Sequence, residues 1–208
     1  MLFEKKKLWL NVLAALALSL ALVAIVLYPG GHQSNLHSKG FSMMHNYWCN
    51  LLDPIAMNGE NNPGRSFAIG AGLLGSLAIF ISMWSLARLY LTKAIAQNTA
   101  VTGLGTSMIG ATLLFTPWHN FFVGLLILGL TTYGVLLAKP IWKSAHSTNR
   151  WMLVLTCTLL LLTSMVYYTS VGLEYLPLLQ KIALLSLVVS LYLLSKVPTQ
   201  STMVKPPV

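Results

Sequence analysis

The sequence predicts an all-α integral membrane protein, a six-transmembrane-helix bundle with an amphipathic helix or loop on its outer side between spans one and two. Of the 208 residues, 56% are hydrophobic and 8% are charged, whereas about a quarter of the residues in soluble domains are charged. Several apolar runs have the roughly 20 residues that a helix needs to cross a hydrocarbon core. Helices are favoured because lipid offers backbone groups no hydrogen-bond partner, whereas a β-barrel would show short alternating segments.

Span one is expected at residues 8–28, between a basic N-terminal segment and the helix-stopping sequence Pro29-Gly30-Gly31. Its apolar run is too long for a cleaved signal peptide, and no small-residue cleavage site follows it, so we expect an uncleaved span. The remaining spans are predicted at residues 67–91, 101–118, 121–138, 151–171 and 176–194. Residues 1–196 would form one membrane domain with an outer cap at residues 29–66, and residues 197–208 a flexible cytoplasmic tail.

Glycines recur along spans two and three. They are Gly70, Gly72, Gly75, Gly103, Gly105 and Gly110. Small residues let neighbouring helices approach closely in a membrane. We therefore interpret them as packing positions, which also offer a surface for helix partners or a homo-oligomer.

The positive charges predict the orientation of the chain. If the N-terminus is cytoplasmic, the outer side carries only Lys39 and Arg65, with Lys181 just inside span six. The other ten of the 13 lysines and arginines then lie on the cytoplasmic side, namely Lys5, Lys6, Lys7, Arg88, Lys93, Lys139, Lys143, Arg150, Lys196 and Lys205. This bias follows the positive-inside rule and places both termini in the cytoplasm. Because the net charge of +9 sits at span ends, it does not indicate a nucleic-acid partner.

The same topology places most titratable side chains outside. They are His32, His37, His45, His119, Asp53, Glu60 and Glu174. We therefore expect the functional chemistry on the extracytoplasmic face.

A polar segment at residues 41–65 interrupts the apolar pattern. Read as a helix, residues 41–57 place His45, Cys49 and Asp53 on one stripe and two asparagines beside it. The opposite face is apolar and aromatic, as in helices that lie at a membrane interface. Residues 58–65 are rich in turn-forming residues and are expected to bend over the mouth of the bundle. Two interpretations stay open, a functional site and a lid that merely lies on the membrane.

Other polar residues are expected at the same mouth. His119 and Asn120 lie at the junction of spans three and four, and Glu174 precedes span six. Lys181 follows Glu174 by seven residues and shares its helix face. A lysine inside a span is costly unless it snorkels, pairs or lines a cavity. Both snorkelling and an ion pair with Glu174, Asp53 or Glu60 are open.

These residues define a candidate site. Acid–base chemistry would come from His45, Asp53, Glu60 and His119. Substrate would be bound by Asn46, Cys49, Asn50, Asn62, Arg65, Asn120, Glu174 and Lys181, with Arg65 or Lys181 engaging a phosphate. His45, His119 and Asp53 are also the donor types of a divalent metal site such as zinc, although no HExxH-type motif is present. A nucleophile, Cys49 or Ser42 with a histidine, is a further alternative, without an elbow motif around either.

The order of these features resembles a bacterial family of six-span membrane proteins of unknown function, which is similar to the eukaryotic Frag, DRAM and Sfk-like proteins. The resemblance is carried by the Pro-Gly turn after span one, the polar motif at residues 42–53, Asn62-Pro63-Gly64-Arg65, the Pro117-x-His119 string and Glu174. It implies a six-helix bundle with an extracytoplasmic polar pocket, an association with membrane lipids, and a bacterial inner membrane. It implies no catalytic mechanism, and the HNYWC string at residues 45–49 departs from the shorter motifs of the eukaryotic proteins.

Two functional hypotheses follow. In the first, the outer site binds or acts on a lipid or another amphiphile. In the second, the protein is a non-catalytic structural or interaction protein whose polar cap only satisfies loop backbones. A metal-dependent hydrolase is a weaker alternative, because no HExxH-type motif supports it. A small transporter is also weaker, because the spans lack repeat symmetry and a polar midplane.

Overall fold

The computed structural model describes residues 2–144 and 146–196, and this part of the chain is mostly helical. Its long helices are α1 (Leu2–Leu27), α2 (Arg65–Tyr90), α3 (Ala94–Thr112), α4 (His119–Ser144), α5 (Ser147–Thr169) and α6 (Leu176–Ser195). The connections contain an antiparallel hairpin of β1 (Gly30–His32) and β2 (Asn35–Lys39) and two 3₁₀ helices, Trp48–Leu52 and Leu173–Tyr175. The predicted flexible tail, residues 197–208, lies outside the described residues.

Five helical segments of the described chain are long and apolar enough to cross a membrane. They are Leu8–Leu27, Arg65–Tyr90, His119–Lys143, Ser147–Thr169 and Leu173–Ser195. Large apolar side chains such as Val26, Val135 and Leu161 cover their outer surfaces. Five such helices are consistent with an integral membrane protein, because soluble proteins rarely expose so large an apolar surface to water.

α3 is not among these five segments, and its predicted bounds are wrong at both ends. Residues 94–100, which precede the predicted start of span three, are already helical, and the side chain of Gln97 donates a hydrogen bond to the carbonyl oxygen of Leu91 (2.5 Å). Residues 113–118 are a turn rather than the end of a span. Pro117 has no N–H to continue a helix, and Thr116 binds the carbonyl oxygen of Leu113 through both its backbone and its hydroxyl group.

α4, by contrast, continues past its predicted end at residue 138. It passes through Pro140 and ends at Ser144. A proline inside a helix removes one backbone hydrogen bond and can leave the rest of the helix intact.

Glycines let α3 and α4 approach each other closely. Gly103 and Gly110 of α3 pack as expected and meet α4, whereas Gly72 and Gly105 have no neighbouring atom within 4 Å of an added Cβ atom. A Cβ atom added at Gly110 would lie 2.6 Å from the carbonyl oxygen of Phe122, and one at Gly129 would lie 2.2 Å from the carbonyl oxygen of Gly103. The hydroxyl group of Ser107 also donates to the carbonyl oxygen of Leu126 across the two helices (3.2 Å). These positions therefore serve packing within the chain.

The cap consists of residues 29–64, since α2 already begins at Arg65. It is not the amphipathic helix expected at residues 41–57, because only Trp48–Leu52 is helical there. The side-chain oxygen of Asn46 accepts a hydrogen bond from the backbone N–H of Ser42 (2.8 Å), and that of Asn50 accepts one from the N–H of Tyr47 (2.8 Å). Asparagine side chains that bind nearby backbone groups compete with helix formation. The expected stripe of His45, Cys49 and Asp53 is therefore not formed.

Three connections meet at the cap. Cys49 contacts His119 at the start of α4, and the hydroxyl group of Tyr47 donates to the carbonyl oxygen of Leu173 before α6 (3.3 Å). The α3–α4 and α5–α6 turns therefore lie at the same end of the bundle as the α1–α2 connection. This end holds the predicted site residues.

Candidate functional site

Asn46 organises the interior of the cap. It is fully buried, and its amide nitrogen donates to the carbonyl oxygen of Gly31 in the hairpin (2.7 Å) while its oxygen holds Ser42. Gly31 has a φ of 83° and lies so close to residues 57 and 58 that a Cβ atom there would lie 2.4 Å from the backbone nitrogen of Asn58. The Gly30-Gly31 turn thus allows the hairpin to pack onto the rest of the cap.

Asn62 and Arg65 close the other end of the cap. The amide nitrogen of Asn62 donates to the carbonyl oxygens of Leu51 and Asp53 (both 3.0 Å), and its oxygen accepts from the N–H of Gly64. The Nε atom of Arg65 donates to the carbonyl oxygen of Leu52 (2.9 Å). Both side chains therefore satisfy carbonyl groups around the first 3₁₀ helix, which is a structural use of polar groups.

Lys181 joins α6 to the cap. It is only 9% exposed, and its ammonium group donates to the carbonyl oxygens of Asn46 (2.5 Å) and Pro177 (2.9 Å). The ammonium group also lies 5.5 Å from the ring centroids of both Phe41 and Trp48. The ion pair with Glu174, Asp53 or Glu60, one of the two alternatives left open, is therefore not formed among the described residues. Carbonyl dipoles and aromatic faces solvate the charge instead.

A stacked pair of histidines lies on the surface of the cap. The rings of His32 and His45 are 4.7 Å apart and nearly parallel, and each Nδ1 atom contacts a serine hydroxyl group, that of Ser34 and Ser42 respectively (2.9 and 3.0 Å). Burial lowers the pKa of His32, and the neighbouring charge of His45 lowers it further. His32 is therefore not a solvated loop residue, because the hairpin folds its ring against His45.

His45 and Glu174 share a cleft between the cap and the start of α6. The cleft has a volume of about 200 Å³ and is lined by Gln33, Ser34, His45, Leu173, Glu174 and Pro177. Its polar groups come from the hairpin turn, the cap and the second 3₁₀ helix. Three separate segments thus line one small open cleft that presents both polar and apolar groups.

Cys49 and His119 form a second contact between the cap and the bundle. The Sγ atom lies 3.7 Å from Nε2 of His119, and Nδ1 of the same ring lies 2.8 Å from the carbonyl oxygen of Leu114. A carbonyl oxygen only accepts, so Nδ1 carries a hydrogen, and in the neutral ring Nε2 is the acceptor for the thiol. Burial raises the pKa of the Cys49 thiol to about 11, and the charge of Asp53 adds to this effect. The thiol is therefore protonated at neutral pH.

Asp53 lies beside this pair. Partial desolvation raises the pKa of its carboxyl group, while the positive charges of His119 and then Arg65 oppose the increase. Asn120, the neighbour of His119, accepts a hydrogen bond from the hydroxyl group of Tyr167 (2.5 Å). The site residues of α4 are thus connected to both the cap and α5.

The predicted site residues therefore fall into two groups. Some have side chains that bind backbone groups, and the others have side chains that line the cleft, lie near α4 or are exposed. Asn46, Asn50, Asn62, Arg65 and Lys181 are bound to backbone groups. His45 and Glu174 line the cleft, whereas Cys49, Asp53, His119 and Asn120 lie on the α4 side. Glu60 is exposed, and its backbone N–H binds the side chain of Asn58.

The predicted metal set of His45, His119 and Asp53 is not assembled. Across residues 2–144 and 146–196, no three His, Cys, Asp or Glu side chains are grouped closely enough to hold a metal ion. The reason is the loss of the expected helical stripe, which turns His45 toward His32 and the cleft while His119 faces Cys49.

The sequence did not indicate His32, Tyr47 or Gln33 as site residues. The Gly30-Gly31 pair was the available signal, because adjacent glycines before a polar stretch favour a tight hairpin that returns His32 to the cap.

No family model matches the sequence, and neither a curated protein nor a solved structure matches it significantly.

Proposed function

We propose that the protein binds the headgroup of a membrane lipid, or of a similar amphiphile, in the cleft that His45 and Glu174 line. The observation that carries this proposal is the position of a small cleft with several polar side chains at one end of an apolar helical bundle. A volume of about 200 Å³ is below the roughly 300 Å³ at which drug-sized pockets begin. The cleft would therefore hold a headgroup, with the acyl chains outside on the bundle.

The surroundings of the cleft suit an amphiphile. Tyr175 and Val171 of the α5–α6 turn and Met44 of the cap are exposed apolar side chains close in sequence to the residues that line it. Tyrosines at this level are typical of membrane interfaces. A ligand with an apolar tail would gain contacts there that a free headgroup would not.

The carboxylate of Glu174 in the cleft indicates which class of headgroup would fit. Glu174 is exposed, and within the described chain no lysine or arginine pairs with it. Its carboxylate suits an ammonium group, while Ser34, Gln33 and His45 provide donors for a phosphate. A zwitterionic phospholipid with a primary amine fits this combination better than an anionic lipid without one.

We also propose six membrane crossings, with the cap outside and both termini in the cytoplasm of a bacterium. The distribution of lysines and arginines supports this orientation. α3 connects the far end of α2 to the start of α4 beside the cap. Its 19 residues extend about 28 Å, close to the thickness of the hydrocarbon core.

Thermal unfolding in detergent tests the headgroup proposal. Phosphatidylethanolamine should raise the unfolding temperature of the wild-type protein more than phosphatidylglycerol does. Glu174→Gln should abolish that difference, whereas Glu60→Gln, which changes an exposed carboxylate elsewhere on the cap, should keep it. The same lipid effect in Glu174→Gln and in the wild type would contradict the proposal.

A structural or interaction role is the second candidate. It is favoured by the fact that Asn46, Asn62, Arg65 and Lys181 all donate to backbone carbonyl groups. These contacts need no ligand. In that case Glu174→Gln and His45→Ala should change neither lipid response nor stability, while Asn46 variants should unfold the cap.

A further inference from the structure

We infer that Cys49 and His119 form a nucleophile–base pair that accepts an acyl group from an ester-linked amphiphile at the membrane interface. This activity does not rest on headgroup binding in the cleft, because the pair lies on the α4 side of the cap. Three observations support the inference. They are the contact between the thiol and the imidazole, the fixed orientation of the imidazole, and two exposed aromatic side chains near His119 in the sequence.

The geometry is that of an activated nucleophile. Nε2 of His119 lies 3.7 Å from Sγ of Cys49, within the range of hydrogen bonds to sulfur. The carbonyl oxygen of Leu114 holds the other ring nitrogen and so fixes the ring orientation. A nucleophile, a base within reach and a third group that orients the base are the three parts of such a site.

The α3–α4 turn determines this orientation. Pro117 prevents the helix from continuing, so the carbonyl oxygen of Leu114 accepts from the side chain of His119. The contact between Cys49 and His119 then joins residues 70 positions apart. Neither residue would be oriented by its own helix alone.

Two aromatic side chains near His119 in the sequence are exposed. Trp118, which precedes His119, is 72% exposed, and Phe121, two residues after it, is 59% exposed. Side chains of this kind favour the interface between headgroups and acyl chains. An acyl chain that lies against them would bring its ester group to the level of the imidazole.

The step needs only proton transfer and substitution at a carbonyl carbon. Nε2 takes the thiol proton as Sγ attacks the ester carbonyl carbon, and a tetrahedral intermediate forms. The intermediate expels the alcohol oxygen, which takes the proton back from Nε2. The products are an S-acyl thioester on Cys49 and a free alcohol, and attack on the thioester by water or by another alcohol releases the acyl group.

The surroundings explain why a base is needed. A thiol whose pKa is about 11 gives almost no free thiolate at neutral pH, so the proton has to leave as the bond forms. Asp53 interacts electrostatically with His119, and its carboxylate would lie near the positive charge that the imidazole gains in this step.

Incubation of the detergent-solubilised protein with 4-nitrophenyl octanoate tests the inference. Release of nitrophenolate gives the rate, and peptide mass spectrometry locates the octanoyl group. We expect it on Cys49, with removal by neutral hydroxylamine, and its loss in Cys49→Ala. Cys157 is the matched internal control, because it is an exposed thiol for which no imidazole contact is seen in the described part of the chain. Cys157→Ser should acylate at the wild-type rate.

His119→Asn should slow acylation about 100-fold, since general base catalysis contributes roughly 10²–10⁴-fold. If this variant does not fold, the pH profile of the wild-type protein decides. Proton transfer from the neutral thiol predicts a rate that does not follow the thiolate fraction, which for a thiol of pKa about 11 keeps rising with pH up to that value. A rate that climbs steadily toward pH 11, acylation of Cys157 to the same extent, or an unmodified Cys49 would overturn the inference.

Discussion

The ammonium group of Lys181 donates a hydrogen bond to the backbone oxygen of Asn46, a residue 135 positions earlier in the chain. This contact fastens α6 to the cap, and the side chain of Asn46 in turn binds the hairpin through Gly31. A charged residue within a helix that is apolar enough to cross a membrane therefore serves the fold. The cleft of the proposed headgroup site lies beside this junction, since Pro177 both lines the cleft and binds Lys181.

Lys181→Met should destabilise the protein by about 1–3 kcal/mol, because the carbonyl oxygens of Asn46 and Pro177 would lose their donor in a buried position. Thermal unfolding in detergent measures the change. Lys93→Met, which removes an exposed lysine, is the control and should leave the unfolding temperature within about 1 °C of the wild-type value. A Lys181→Met protein as stable as the control would show that the junction contributes nothing.

Asn46→Ala should cost about 2 kcal/mol or more, because Ser42 and Gly31 would each lose a hydrogen-bond partner inside the cap. Hydrogen exchange of the amide groups in residues 30–52 reports this loss locally. Asn61→Ala, at an exposed position of the cap outside residues 30–52, should leave the exchange of these amide groups unchanged. Equal protection in both variants would mean that the hairpin is held by other contacts.

Gly129→Ala should separate α3 from α4, because the new Cβ atom would lie 2.2 Å from the carbonyl oxygen of Gly103. Overpacking of this kind typically costs about 1–3 kcal/mol. Gly72→Ala is the matched change in α2, where a Cβ atom meets nothing within 4 Å. The yield of monodisperse protein and its unfolding temperature should fall for Gly129→Ala only, and a decrease of similar size in Gly72→Ala would argue for a general effect of alanine.

Acidification should destabilise the cap through His32. Its folded-state pKa lies below the ordinary value of 6.5, so below pH 6.5 the unfolded chain binds more protons than the folded one. The unfolding temperature should therefore decrease as the pH falls from about 7.5 to 5.5. The pKa of the Asp53 carboxyl group is raised from its ordinary value of 3.8, so this group has the opposite effect on stability. At pH values near 3.8 and just above, the folded chain binds more protons at Asp53 than the unfolded chain does, and acidification favours the folded state.

His32→Gln should flatten this pH dependence, whereas His37→Gln, at an exposed position, should retain it. An unfolding temperature that is constant over this pH range in the wild-type protein would show that the stacked histidines do not resist protonation.

The sequence was sufficient for the elements that rest on apolar length and on proline. Pro29 and the run before it predicted the end of the first long helix within one residue. The same reasoning failed at α3, because the polar residues around Gln97 placed the start of the span too late, whereas α3 begins at Ala94 and the Gln97 side chain binds the carbonyl oxygen of Leu91 at the end of α2. Periodicity cannot show that a polar side chain will bind the backbone in this way.

The candidate site could be predicted by residue type but not by arrangement. His45 and Cys49 were expected to share a stripe, yet the side chains of Asn46 and Asn50 bind the backbone N–H groups of Ser42 and Tyr47. His45 lines the cleft, whereas Cys49 contacts His119. The partners of these residues, His32 and His119, come from a hairpin and from a helix start 70 residues away from Cys49. Such contacts are set by tertiary packing, which spacing along the chain does not encode.

Native mass spectrometry of the protein purified in mild detergent from bacterial membranes tests the central claim, headgroup binding in the cleft, most directly. Phosphatidylethanolamine should remain bound to the wild-type protein and to Glu60→Gln, and should be lost from Glu174→Gln while that variant keeps its unfolding temperature. Retention of the same lipid by a folded Glu174→Gln protein, or a wild-type spectrum without bound lipid, would contradict the claim and favour the structural role of the cap.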